Sequence, residues 1–283
     1  MASAQMSPTG FLFILIGLAA AIVFIKCLRN RRRTQRHATL MNRPIPHAWQ
    51  KYLEDNLPLY NQLPEDLKRQ VEGHTQILVA DLNWEGHNGL IMTDEIRVTI
   101  AGQASFLILN QKRSFPATLQ SVIVYPGAYQ AKSIKPTAGG LHTEGKQKVL
   151  GQSWDAGVIV LAWDNTKHSA ANANDGHNLV LHEFAHQLDQ ASGAANGTPI
   201  LRAPDRYRNW RQAMAKTYSS FLDETERGKK TVMDDYGATN PAEFFAVATE
   251  TFFEKPRQLR KRRPELYHEL CTYYQTDPLD WRS

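Results

Sequence analysis

His182-Glu183-Phe184-Ala185-His186 decides how the rest of this 283-residue chain is read. Residues four apart on an α-helix lie one above the other, so the two imidazoles share a face, and this HExxH spacing is the one with which such a pair grips zinc. Glu183 then stands beside the metal, placed to take a proton from a water and pass it to a leaving amine. Two surface histidines on an amphipathic helix would leave the same five letters, so the flanking residues matter. From Asn178 to Asp189 the apolar positions Leu181, Phe184, Ala185 and Leu188 keep a helical rhythm with no Gly or Pro inside it. Asp175 is the expected N-cap, and Gly193 the expected stop. Histidines among Val, Leu and Phe are partly buried and need partners, which a metal supplies. Asp189, three residues beyond His186, fits either of two roles: acceptor for a ligating imidazole's other N–H, or a cap on the helix end.

A catalytic zinc site normally takes a third protein ligand. A third histidine at the metzincin position is excluded, because that residue is Ser192. The stretch Tyr236 to Phe253 is an apolar, buried-looking helix that carries Glu243 and Glu250, seven apart and so on one face. A buried carboxylate must be paired or bound to a metal. Against this, Asn240, Pro241 and Glu243 also form a capping-box arrangement, with Asn240 as N-cap. Spacing alone leaves Glu243 balanced between ligand and cap, with Glu250 in reserve.

These residues sit within a longer set. Gly151-Gln152-Ser153-Trp154, then Asp175-Gly176-His177-Asn178 leading into Leu181 to Asp189, and finally Asp277-Pro278-Leu279, resemble the Mlc titration factor A family of zinc peptidases. Thr93 to Ile100 and Val122 to Gly127 fit it as well, so the likeness spans roughly residues 50 to 280. That family is similar to the catalytic domain of lethal factor, which implies an α+β, zincin-like fold of the gluzincin type, mainly helical with a small sheet. Carried over to this sequence, the resemblance implies zinc bound by His182, His186 and Glu243, Glu183 as general base and Tyr236 near the metal. A phenol there, seven residues before Glu243, would suit a developing oxyanion, although a Tyr under a Gly-containing turn also packs structurally. His177 is a weaker candidate and fits a structural role better. The apolar run Val158 to Trp163 reads as a strand, and in peptidases of this kind such a strand aligns peptide or protein substrate as an added strand. The family also implies a second role, because members of it sequester a transcriptional repressor of sugar uptake.

Phe11 to Ile25 is free of charge and of Pro, and with Gly10, Cys27 and Leu28 the apolar run is just long enough to span a bilayer. Nothing positive precedes it, which argues against a cleaved signal, whereas Lys26, Arg29, Arg31, Arg32, Arg33 and Arg36 follow directly. The positive-inside rule then predicts a single-pass anchor over 1–28 with the catalytic part in the cytoplasm. Of a net charge of +5, residues 1–37 supply +6 and no acid, so the remainder stands at −1. The pI of about 9.1 therefore reports a juxtamembrane tether suited to anionic lipid, and no nucleic-acid surface is expected. A second basic run, Arg257, Arg260, Lys261, Arg262 and Arg263, departs from the family pattern and fits a solvated helix end or a further lipid contact.

Cys27 and Cys271 suggest no disulfide framework. Asn196-Gly197-Thr198 has the glycosylation pattern, but Asn-Gly followed by Pro199 is a turn signal, and no sugar is assigned. The expected organisation is an anchor (1–28), a basic linker (29–46) ending at Pro44 and Pro46, and one zinc peptidase domain (47–283). Helices are expected over Leu63 to Leu82, Thr93 to Leu109, Pro204 to Asp223, Pro241 to Phe253 and Pro264 to Tyr274, with strands at Val122 to Tyr125 and Val158 to Trp163.

Overall fold

The computed structural model describes the backbone of residues 8–111, 114–127, 129–136, 142–149, 151–154 and 157–281, with side chains described from Leu18 onward outside 128–156. The chain divides into two units, Met1–Arg43 and Pro44–Ser283. In the first, one helix, α1 (Pro8–Asn42), runs on through most of the basic segment that composition marks as a linker. No Gly or Pro lies between Leu18 and Asn42 to interrupt its hydrogen-bond ladder. Among the described residues no helix is long and apolar enough to cross a membrane, so the expected spanning anchor lacks structural support. The first half of that expected span, residues 11–17, lies outside the residues whose side chains are described.

The second unit begins with α2 (His47–Asn56), α3 (Pro58–Asn61), α4 (Glu65–Asp81), β1 (Asn83–Gly86) and α5 (Asp94–Ser105), which tightens into a 3₁₀ turn at Phe106–Ile108. Then come β2 (Ser121–Tyr125), a hairpin of β3 (Tyr129–Pro136) and β4 (His142–Val149), β5 (Gly151–Trp154) and β6 (Val158–Ala162). The rest is helical: α6 (Trp163–Ala171), α7 (Leu179–Gln190), α8 (Arg206–Glu226), α9 (Pro241–Glu254), α10 (Pro256–Arg262) and α11 (Pro264–Tyr274). Helices around a small sheet make this the α+β arrangement expected.

The sheet runs β1-β2-β6-β5, with β1, β2 and β6 parallel and β5 antiparallel to β6. Val122 opposes Ile159 and Val124 opposes Leu161, so the β-branched and aliphatic side chains of the two central strands share one buried face. This corrects the expectation that the Val158–Trp163 strand offers its edge to substrate. β6 is paired on both sides, and the edge next to the metal helix belongs to β5, on which α7 packs.

Two helices form the interior. α5 buries Ile96, Val98, Ile100, Ala101 and Ala104 against α4, α2 and α7. α9 is apolar all round, with Phe244, Phe245, Ala246, Val247, Ala248, Phe252 and Phe253 at most 2% exposed, which marks a helix packed on every side. Trp210 of α8 and Tyr274 of α11 close over it with aromatic contacts. Any carboxylate on such a helix needs a partner. That requirement builds the site.

Candidate metal centre

α7 starts one turn later than the sequence suggests. Gly176 has φ +78, a left-handed conformation that no helix continues through, so Asp175 stays outside and accepts the His177 N–H in a turn. The N-cap is Asn178, whose Oδ1 accepts the Leu181 N–H at 3.0 Å. From that start His182 and His186 point to one side with ring centroids 4.8 Å apart.

α9 begins as the capping motif predicts, with Asn240 Oδ1 accepting the N–H groups of Ala242 and Glu243 and Pro241 in the first turn. The cap is complete without the Glu243 side chain. Its Oε2 lies 3.0 Å from His182 Nε2 and 3.3 Å from His186 Nε2, and the two imidazole nitrogens are 3.2 Å apart. These three atoms form the cluster able to hold a metal ion. Zinc with ligand bonds of about 2.0–2.1 Å in tetrahedral geometry requires its ligand atoms to be about 3.3 Å from one another. The donor set, two neutral imidazoles and a carboxylate, fits such an ion, and the spacing already matches.

Glu250 stands behind the cluster. Its Oε1 accepts from His182 Nδ1 at 2.7 Å, a bond that would leave the Nε2 lone pair to a metal ion held with His186 and Glu243. Of the two glutamates, Glu243 lies in the cluster and Glu250 is bonded to His182 on the far side of the ring. Asp189 takes neither role foreseen for it. Its Oδ2 accepts the Gly197 N–H at 2.8 Å, holding the loop after α7, and Gly197 at φ +74 makes Asn196-Gly197 the turn that the sequence predicted. His177 is more than half exposed, with its Nε2 3.6 Å from Asp234. Tyr236, on the 3₁₀ turn Asp235–Ala238, is exposed with its ring 5.9 Å from that of His182.

Glu183 is buried, and its Oε2 has no hydrogen-bond partner. Burial pushes its carboxyl up to about 7, with His182 and His186 pulling it down and Glu243 and Glu250 adding to the rise. For His182 burial is the largest influence and lowers the pKa, but Glu250 and Glu243 together raise it well above the ordinary imidazole value. Burial also opposes ionisation of Glu243, yet the hydrogen bonds to His182 and His186 bring it down to about 2.

Sequence reading passed over Glu254. It is 1% exposed, and burial, with Asp175 and Glu250 nearby, pushes it up to about 8 against the lowering effect of its bond from Asn178. Its signal was available, since Glu243, Glu250 and Glu254 are spaced seven and four apart along one face of an apolar helix. A carboxyl raised from 4.5 in the unfolded chain to about 8 in the folded one favours folding fully below pH 4.5, and that contribution is lost as pH rises through 8. Glu183 and His182 act in the same sense, while the Glu243 contribution is present above 4.5 and lost as pH falls toward 2. The metal-free chain is therefore expected to melt at least about 5 °C lower at pH 9 than at pH 5. Calorimetry in chelator checks this, and a level or rising Tm would contradict it.

A family model described as glucose-regulated metallo-peptidase M90 matches residues 28–275. The chain belongs to this family. Among similar proteins, the uncharacterized protein slr2042 of Synechocystis sp. is 40% identical over 276 residues, covering 97% of this chain and 99% of that protein. Mlc titration factor A of Yersinia enterocolitica is 29% identical over 82% of this chain and 86% of its own length. The Yersinia pestis protein of that name is 30% identical, over 79% and 83%. The chain thus combines membership of a metallopeptidase family with a His/His/Glu cluster on α7 and α9.

Proposed function

We propose that the chain is a zinc-dependent peptidase. The observation that carries this is the cluster of His182 Nε2, His186 Nε2 and Glu243 Oε2 at 3.0–3.3 Å, with the buried, unpartnered Glu183 Oε2 beside it. Zinc held there would supply a Lewis acid that polarises a peptide carbonyl and makes a water nucleophilic near neutral pH. Glu183, raised to about 7, takes the proton of that water and returns it to the leaving amine, a task for which a group poised near neutrality suits both directions. Tyr236 donates a hydrogen bond to the carbonyl oxygen as charge develops on it. Partial desolvation of the phenol, together with the charges of Glu243 and Glu183, raises its pKa and keeps it protonated for that purpose. The edge of β5, against which α7 packs, accepts the substrate backbone as an added strand.

The same proposal places the domain at a membrane, on its cytoplasmic side. Its support is the apolar run Phe11 to Ile25 followed by six cations, and the start of the family match at residue 28, where that run ends. One zinc per purified chain is expected, with hydrolysis of a mixed peptide library lost in chelator and regained on adding zinc. Hydrolysis that persists in chelator, or a chain without zinc, would reject the peptidase.

A second role is favoured by the name of the Yersinia relatives, which describes a factor that titrates Mlc. In that case the domain captures a transcriptional repressor, and the metal centre modulates the capturing surface.

A further inference from the structure

We infer that Glu254 is a positioning residue of the metal centre, fixing the start of α7 and through it the orientation of His182. The inference rests on the reading of His182, His186 and Glu243 as a zinc site. The segment before α7 must turn through Gly176 and still satisfy its own N–H groups, since the first amides of a helix and of the chain leading into it have no partners within the helix. Glu254 Oε2 accepts two of them, Gly176 N–H at 2.9 Å and His177 N–H at 3.1 Å. Its Oε1 accepts Asn178 Nδ2 at 3.1 Å. Both Nδ2 and Oδ1 of Asn178 are then engaged, because Oδ1 caps Leu181. The Asn178 backbone N–H goes to Glu250 Oε2, and the other oxygen of Glu250 holds His182 Nδ1. A continuous run of hydrogen bonds thus leads from Glu254 through Asn178 and Glu250 to the ligating imidazole. All its carboxylates come from the helix that delivers Glu243, so α9 sets both the third ligand and the pose of the first.

Gly176, His177 and Asn178 all donate to Glu254, and those three directions yield a reciprocal test. In Glu254→Gln the amide oxygen can still serve Gly176 and His177, but the amide nitrogen then faces Asn178 Nδ2, donor against donor. Asn178 has no way to flip without giving up its cap on Leu181. Adding Asn178→Asp reverses the pair. The carboxylate introduced at position 178 keeps the cap with one oxygen and accepts from the new amide at position 254 with the other.

The experiment is a zinc titration against a competing chelator, with the melting temperature of the metal-free form, on the full chain in detergent. Wild type, Glu254→Gln and the double variant Asn178→Asp/Glu254→Gln are compared. Loss of second-layer support weakens metal binding by about 10–100-fold, so Glu254→Gln is expected in that range and the double variant within about threefold of wild type. A residue that only stabilises the fold would lower the melting temperature and leave the zinc Kd of the folded protein unchanged, and that result overturns the inference. A folded double variant no better than Glu254→Gln also overturns it. If Glu254→Gln does not fold, the double variant decides: native-like zinc affinity supports the inference, and failure to fold or more than tenfold weaker binding rejects it. A wild-type chain that binds no zinc removes the metal-site reading itself and this inference with it, whereas tight zinc binding unchanged by the substitutions removes the inference alone.

Discussion

Replacing Glu183 with Gln is expected to leave zinc bound and to lower peptide turnover by about a thousandfold or more. Glu183 adds no atom to the three-ligand cluster, so the metal loses nothing directly. Gln keeps the volume of a side chain that is only 5% exposed, and the position occupied by the unpartnered Oε2 tolerates an amide because no donor is already aimed at it. What is lost is a proton acceptor held near neutrality by its burial. The measurement is zinc content and peptide hydrolysis on the same preparation. Full zinc with turnover gone supports the general base, and equal turnover in both proteins ends that assignment. The variant also separates the two proposed roles, because capture of a repressor needs the surface and the metal but no proton transfer. Capture that survives in a hydrolytically dead chain would make binding the principal activity.

How much of this could be read from residues alone depends on whether a feature is local. The ligand pair on α7 is local, since HExxH and the apolar positions around it fix helix, face and chemistry together. The start of that helix is also local but was placed three residues early, because Asp175 is a good cap by composition and only the left-handed φ of Gly176 excludes it. The carboxylate of the cluster is not local. Glu243 and Glu250 share a face of α9, and which one meets the imidazoles depends on how far along α9 the α7 helix crosses. The neighbouring strands show a different limit. β1, Asn83–Gly86, is mostly exposed and has no β-branched residue, so it becomes a strand by pairing with β2 rather than by propensity. For β6 the apolar run is a strand as expected, but its place inside the sheet follows from the antiparallel pairing of β5 beside it, which periodicity does not encode.

Gly197→Ala is expected to damage both the fold and the metal cluster, because this residue is bonded to Asp189 of α7 and packs against the first residue of α9. Its N–H is held by Asp189, one turn beyond His186 on α7, and its carbonyl accepts from Trp210 Nε1 at 3.0 Å. Its Cα rests against the first residue of α9, so that an added Cβ would lie 2.5 Å from the Pro241 oxygen and 3.1 Å from the Pro241 carbonyl carbon. Pro241 is two residues before Glu243. An alanine must therefore both hold φ +74, at about 1–2 kcal/mol, and push the start of α9 away from α7. A total loss of about 3 kcal/mol or more is expected, with zinc affinity reduced by at least about tenfold as Glu243 moves off the imidazoles. Gly193 provides the control within the same loop, since it has φ +95 and nothing within 4 Å of a built Cβ. Gly193→Ala should cost only the conformational part, about 1–2 kcal/mol, and leave zinc affinity as it was. Thermal denaturation and zinc titration of the two variants side by side make the comparison. Equal losses at both positions would show that backbone strain alone is at work, and that the Gly197–Pro241 contact does not set the spacing of the metal ligands.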